Sequence, residues 1–227
     1  MQQQQPTGLL SPETRPEPEA LRLKVCGMTQ PANLAAVAAL QPDFLGFIFY
    51  PQSSRYVGAQ LSRAELAALP AGVRKVGVFV DEDSAAILAR VAELGLDLVQ
   101  LHGHETPTQC AVLTAAGVLV IKAFSVGEEF DFQLLKPYVG SVEYFLFDTK
   151  GKQPGGNGTA FNWNLLTAYS LPVPYFLAGG LGMDHLAALR NLRLPGLFAL
   201  DLNSRFETAP GVKDAAMLRR MFDTLRT

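Results

Sequence analysis

From Leu21 onward, short apolar runs alternate with longer Ala- and Leu-rich stretches. The short runs are rich in β-branched and aromatic residues, and the longer ones repeat their apolar positions at helical spacing. Strands are predicted over residues 21–26, 44–49, 73–80, 98–102, 118–124, 144–148, 174–177 and 197–200. Helices are predicted over residues 31–40, 62–69, 84–94, 106–116, 130–138, 162–169, 183–192 and 214–225. Pro31 and Pro107 suit a first helical turn, where a missing N–H costs nothing. Gly95 and Gly117 fall just past helix ends, where a left-handed cap is wanted.

Strand followed by helix, with no long antiparallel block, implies a parallel sheet. Strands covered on both faces read as continuous apolar runs, as residues 44–49 and 76–80 do. About eight such repeats in roughly 200 residues fit an α/β fold of the closed (β/α)8 type, a TIM barrel. The alternative is an open doubly wound sheet. Its Gly-rich fingerprint is missing after the first strand, where the chain reads Cys26-Gly27-Met28-Thr29. Residues 1–20 break the pattern, being rich in Gln, Pro, Glu and Thr with Leu9-Leu10 as their one apolar pair. Such a segment buries too little surface to offset its ordering entropy. A short disordered N-terminal extension over residues 1–20 is therefore expected, ahead of a barrel domain over residues 21–227.

The 227-residue length suits one such domain, and a 48% apolar content supplies its core. A net charge of −2 argues against a nucleic acid or membrane surface held by bulk electrostatics, but leaves room for a local basic site. No apolar run approaches the roughly 18 residues of a membrane span. The opening residues 1–6 lack a basic region ahead of an apolar one, so no secretory leader is expected. Two cysteines, Cys26 and Cys110, do not make a disulfide framework, and a reduced, cytoplasmic chain is expected.

Barrel active sites lie at the C-terminal ends of the strands. There the chain places Cys26-Gly27-Met28-Thr29, Ser53-Ser54-Arg55, Asp81 and Gln100-Leu101-His102-Gly103. Further on come Asp148-Thr149 with Gly155-Gly156-Asn157-Gly158, then Ala178-Gly179-Gly180 and Asp201-Leu202-Asn203-Ser204-Arg205. A thiol, carboxylates, an imidazole, arginines and glycine loops thus converge on one rim. By strand alternation Lys24 shares the inner face with Cys26 and needs a partner, either Asp201 or Asp148. Lys24 is read equally as half of an interior ion pair or as a catalytic group. The three histidines are scattered and no H-x-x-x-H or C-x-x-C spacing occurs, so no zinc site is expected. His104 and His185 read as surface residues, Cys110 as packing in an outer helix, and Trp163 with Phe161 as an anchor for the helix over residues 162–169.

The same stretches resemble the phosphoribosylanthranilate isomerase family. Leu23-Lys24-Val25-Cys26-Gly27-Met28-Thr29 is similar to that family's opening K-[IV]-C-G-[ILM]-T motif. The resemblance continues through Gly46-Phe47-Ile48-Phe49, Ser54-Arg55-Tyr56-Val57, Gly77-Val78-Phe79-Val80, Gln100-Leu101-His102-Gly103 and Phe147-Asp148-Thr149. It runs on through Gly155-Gly156-Asn157-Gly158, Phe161-Asn162-Trp163, Leu177-Ala178-Gly179-Gly180-Leu181, Asp201-Leu202-Asn203-Ser204 and Gly211-Val212-Lys213-Asp214. It covers residues 21–225 in order.

The resemblance implies an Amadori rearrangement in tryptophan biosynthesis. N-(5'-phosphoribosyl)anthranilate becomes 1-(o-carboxyphenylamino)-1-deoxyribulose 5-phosphate, with no metal or nicotinamide cofactor. It assigns the general acid to Asp148 and the general base to Cys26, and it turns Arg55 toward the anthranilate carboxylate. A carboxylic acid donates at neutral pH only if its pKa is raised, and a thiol accepts only if its neighbours favour the thiolate. Gly179 and Gly180 let the backbone approach a phosphate and Ser204 adds a hydroxyl, while Gly156, Asp201 and Asn203 complete the substrate contacts. His102 either orients substrate or caps its loop. The chain departs from the family at Arg205, where glycine is frequent; Arg205 either reaches the phosphate or points outward.

The implied partner is a small-molecule substrate, with no nucleic acid or membrane, for a monomer or homodimer. Two rivals share the fold. A decarboxylating cyclase of the indole-glycerol-phosphate synthase type needs catalytic lysines at strand ends, whereas strand one ends in Cys26-Gly27. A non-catalytic sugar-phosphate-binding barrel would have lost the acid or the base, and both are present.

Overall fold

The computed structural model describes residues 21–58, 60–149 and 162–227. The extension over residues 1–20, Phe161, and Gly156 with its glycine loop lie outside them. Eight parallel strands close into a barrel in sequence order. They are β1 (Arg22–Cys26), β2 (Phe44–Ile48), β3 (Arg74–Phe79), β4 (Leu98–Leu101), β5 (Leu119–Val126), β6 (Tyr144–Thr149), β7 (Tyr175–Leu177) and β8 (Leu197–Leu202). The barrel shuts where β8 meets β1, with Asp201 opposite Lys24. All the expected strands form, within the one or two residues by which element ends scatter.

The helical layer is less regular. Helices α1 (Pro31–Ala38), α2 (Arg63–Ala67), α3 (Ser84–Leu94) and α4 (Pro107–Ala115) follow the first four strands. Pro31 and Pro107 open their helices as expected. Gly95 caps α3 at φ 65, and a capping box between Ser62 and Glu65 starts α2. The next two helical segments, Phe132–Tyr138 and Trp163–Ala168, are 3-10 turns. Asp131 and Asn162 accept from the N–H two residues on, which winds the start tightly. Pro137 also removes a donor from the first of them. A further 3-10 turn, Met183–His185, leads into α5 (Leu186–Arg190). After β8 comes a feature that the periodicity does not show. Strands β9 (Glu207–Ala209) and β10 (Val212–Lys213) pair antiparallel before α6 (Ala215–Leu225).

Alternation along the strands sorts the core into two compartments. Leu23, Val25, Val99, Phe145, Phe147 and Leu200 face the helices. Phe44, Val76, Leu98, Ile121, Tyr144, Leu146, Phe176 and Ala199 fill the barrel interior. The Phe176 ring meets Phe44 and Tyr144 edge-on, with centroids 5.2 and 5.3 Å apart. Burying each such ring contributes about 1.5–3 kcal/mol. This apolar plug leaves the C-terminal end of the barrel for polar side chains. Among the described residues, no helix is long and apolar enough to cross a membrane.

Candidate active site

A cavity of about 560 Å³ opens at the C-terminal ends of the strands. Its wall includes Cys26, Arg55, Gln100, His102, Asp148, Gly179, Gly180, Asp201, Asn203, Ser204 and Arg205. Every expected site residue that the structure describes therefore meets in one place; Gly156 lies outside the described residues.

Leu23 and Val25 face the helices, which turns Lys24 and Cys26 inward. Of the two candidate partners for Lys24, the structure selects Asp201, whose Oδ2 accepts from Lys24 Nζ at 2.7 Å with both groups buried. Burial pulls the lysine's pKa down, but the charges of Asp201 and Cys26 outweigh it and the net shift is upward. Burial pushes the Asp201 carboxyl up, against the pull of Lys24. Asp201 Oδ1 is buried with no hydrogen-bond partner among the described residues.

The Cys26 thiol faces Gly46 across the β1–β2 pairing. A Cβ on Gly46 would stand 2.6 Å from Sγ, so the bare backbone there is what gives the thiol room. Burial raises the Cys26 pKa, opposed by the Lys24 and Lys213 charges and reinforced by Asp201. Lys24 and Lys213 thus favour the thiolate while burial favours the thiol, and the net shift is upward.

Asp148 is buried at the end of β6, where Oδ1 accepts from the Thr149 N–H at 2.8 Å. His102 Nε2 lies 3.5 Å from Asp148 Oδ2, and His102 Nδ1 lies 3.0 Å from Gln100 Nε2. The imidazole thus lies between a buried amide and the Asp148 carboxyl, and its Nε2 makes no hydrogen bond among the described residues.

On the rim, Gly179 and Gly180 follow β7 with φ of 89 and 62. A Cβ on Gly179 would overlap Thr149 Oγ1, so this turn lies directly against the end of β6. Arg205 pairs with Asp184 at 2.8 Å while also lining the cavity. Arg55 is not a solvated surface arginine. Its Nε and Nη2 grip the Glu207 carboxylate at 2.9 and 2.7 Å. Glu207 also accepts from Lys213 Nζ at 2.6 Å, and Lys213 donates to Asn203 Oδ1 at 2.7 Å. Charge and hydrogen bonds from Arg55 and Lys213 overcome the burial of Glu207 and hold its pKa below the ordinary value.

Sequence reasoning assigned no role to Glu207, Lys213 or Gln100. Lys213 and Gln100 stand inside the quoted motifs, so the signal was present but unassigned. A second buried pair was missed, Lys122 Nζ to Glu105 Oε2 at 2.9 Å. A lysine inside the apolar run of residues 118–124 is the same signal that singled out Lys24. His185, expected at the surface, is half-buried against the Trp163 ring at 5.4 Å. Cys26 and Cys110 are both free and buried. No group of three His, Cys, Asp or Glu side chains among the described residues is placed to hold a metal ion.

Residues 23–224 match the sequence model of the N-(5'phosphoribosyl)anthranilate (PRA) isomerase family. The N-(5'-phosphoribosyl)anthranilate isomerase of Phocaeicola vulgatus is 46% identical over 204 residues, covering 90% of this chain and 97% of that protein. The crystal structure of phosphoribosyl anthranilate isomerase from Thermus thermophilus superimposes with a TM-score of 0.78 at 34% identity, covering 90% and 98% of the two chains. A phosphoribosyl anthranilate isomerase crystallised with reduced 1-(o-carboxyphenylamino)-1-deoxyribulose 5-phosphate superimposes with a TM-score of 0.77 at 32% identity, again covering 90% and 98%.

Proposed function

The chain belongs to the N-(5'-phosphoribosyl)anthranilate isomerase family, and from that premise we propose that it isomerises N-(5'-phosphoribosyl)anthranilate with Asp148 as general acid and Cys26 as general base. Asp148 protonates the ribose ring oxygen, the C1–O bond breaks, and a Schiff base forms. Cys26, as thiolate, removes the proton from C2. The resulting enolamine tautomerises to 1-(o-carboxyphenylamino)-1-deoxyribulose 5-phosphate, so that C1 is reduced and C2 oxidised within one molecule. A cytoplasmic location goes with this reading.

The observation that carries it is the pairing of a buried thiol and a buried carboxylate on the wall of one cavity, from opposite sides of the barrel. Lys24 and Lys213 oppose the burial that raises the Cys26 pKa, and each proton transfer contributes about 10²–10⁴ in rate. Arg55 takes the anthranilate carboxylate, as an arginine fork suits. His102 bears on Asp148, and Asp201 Oδ1 accepts from a substrate hydroxyl. The backbone at Gly179 and Gly180, with Asn203, Ser204 and Arg205, receives the phosphate. A lysine-based decarboxylating cyclase gains no support, because Lys24 is bound to Asp201 and is absent from the cavity wall.

The test generates the substrate in situ from anthranilate and phosphoribosyl pyrophosphate with the upstream transferase. Indole-glycerol phosphate is then followed through excess indole-glycerol-phosphate synthase. The expected result is product from the wild type, and a fall in kcat of at least about 10² for folded Cys26→Ala and Asp148→Asn. A folded wild-type chain that binds substrate and forms no product overturns the reading.

A further inference from the structure

Glu207 opens strand β9 of the hairpin, its side chain 5% exposed. Oε1 accepts from Arg55 Nε at 2.9 Å, from Lys213 Nζ at 2.6 Å and from the Gly211 N–H at 3.1 Å. Oε2 accepts from Arg55 Nη2 at 2.7 Å and Nε at 3.1 Å. Lys213 is fixed in turn, because its backbone N–H and C=O both bond the side chain of Asn33 at 2.8 Å. Glu207 is thus held from the hairpin and from α1 before it ever meets Arg55.

This grip uses one edge of the guanidinium. An arginine has five N–H donors in a fixed plane, arranged as two forks. The Nε–Nη2 fork is spent on Glu207, and Nη1 makes only a 3.5 Å contact with Ser54 Oγ. The remaining Nη1–Nη2 fork belongs to a side chain that lines the cavity, and it has the geometry that matches a carboxylate with two parallel bonds. Charge matters as well. Arg55 and Glu207 alone would cancel; Lys213 adds a second cation beside Glu207, whose charge opposes the burial that lowers the lysine's pKa.

We propose that Glu207, anchored by Lys213, is the positioning residue that aims the second fork of Arg55 at the ring carboxylate of the substrate. Together they make the site selective for a carboxylated aromatic amine over an uncarboxylated one. The proposal rests on Arg55 taking that carboxylate. Its physical gain is preorganisation: an untethered arginine would give up rotamer freedom on each binding event, whereas this one is ordered beforehand.

Binding of two stable ligands tests it without turnover. One is the reduced product analogue made with anthranilate; the other is its aniline counterpart, which lacks the carboxylate. Calorimetric Kd values are measured for wild type, Arg55→Ala, Glu207→Ala and Glu207→Gln, each checked for folding by circular dichroism. Glu207→Ala is expected to weaken the carboxylated ligand by about tenfold or more and the aniline ligand by less than about twofold. Glu207→Gln keeps an acceptor for Arg55 and is expected to recover part of the difference. If Glu207→Ala leaves Lys213 unpaired and fails to fold, Glu207→Gln carries the test, with an expected loss of about threefold in discrimination between the ligands. Equal weakening of both ligands, or of neither, overturns the proposal. An Arg55→Ala variant that weakens both equally removes Arg55 from the carboxylate, and the proposal falls with that reading. An Arg55→Ala variant that discriminates, beside Glu207 variants that do not, removes Glu207 alone.

Discussion

Two buried lysine–carboxylate pairs of nearly equal length sit in different parts of this barrel, and they differ in what they leave unpaired. Lys122 and Glu105 lie between the sheet and the helices. There Lys122 Nζ also donates to the backbone oxygens of Gly103, Ala123 and Leu101. Glu105 accepts from the Asp81 and Gly103 N–H groups, so both of its oxygens are used. Lys24 and Asp201 lie inside the barrel at the cavity, where Asp201 Oδ1 is buried and unbonded among the described residues. A saturated pair ties β4, its following turn and β5 into one unit. An unsaturated one carries an unmet hydrogen bond, which an unliganded structure tolerates only at a cost. The contrast separates a pair bonded throughout within the fold from one that leaves an oxygen unbonded at the cavity wall.

The largest expected effect breaks the saturated pair. Lys122→Met leaves Glu105 buried without a counter-charge and should cost about 3–5 kcal/mol of stability by urea unfolding. The kcat/KM of the molecules that remain folded should stay within about twofold. A large kcat loss at wild-type stability would erase the distinction between the two pairs. Asp201→Asn comes next. It keeps size and an acceptor for Lys24 but puts a neutral amide in place of the carboxylate. Binding of the reduced product analogue should weaken by about 10- to 100-fold, the worth of a hydrogen bond to a charged group at ~1.5–3 kcal/mol. An unchanged Kd would mean that the orphaned oxygen is not for the ligand. The smallest effect belongs to a third pair, Arg205 with Asp184, both about half exposed. Losing it should leave the urea unfolding midpoint essentially unchanged, because solvent screens an exposed ion pair. Arg205→Ala should raise KM a few-fold through the phosphate, and an unchanged KM would remove Arg205 from that subsite.

Much of this site was readable before any coordinates. Strand alternation put Lys24 beside Cys26 and pointed both inward, and strand ends located Asp148, His102 and Asp201, because a parallel barrel leaves little freedom about where those ends go. The partner of Lys24 was legible only as a choice between Asp201 and Asp148. Asp201 is 177 residues away, and only the order in which strands close sets it opposite. Glu207 went unassigned for a related reason. Its carboxylate matters through Arg55, 152 residues distant, and it rides on strands of three and two residues that leave no periodicity. The 3-10 segments were read as plain helix, since six or seven residues hold too few turns to tell a period of 3.0 from 3.6.

The join between β1 and β8 has a consequence for how the molecule is assembled. Lys24 enters the growing chain 177 residues before its carboxylate. Until the last strand is in place, the first strand offers a lysine and a thiol with no counter-ion beside them. Entropy alone makes so long a closure only slightly dearer than a short one. Order of synthesis therefore matters more than distance: the floor of the cavity gains its counter-charge only when β8 is in place, and a chain cut short before β8 has Cys26 and Asp148 as residues but not the cavity that brings them together.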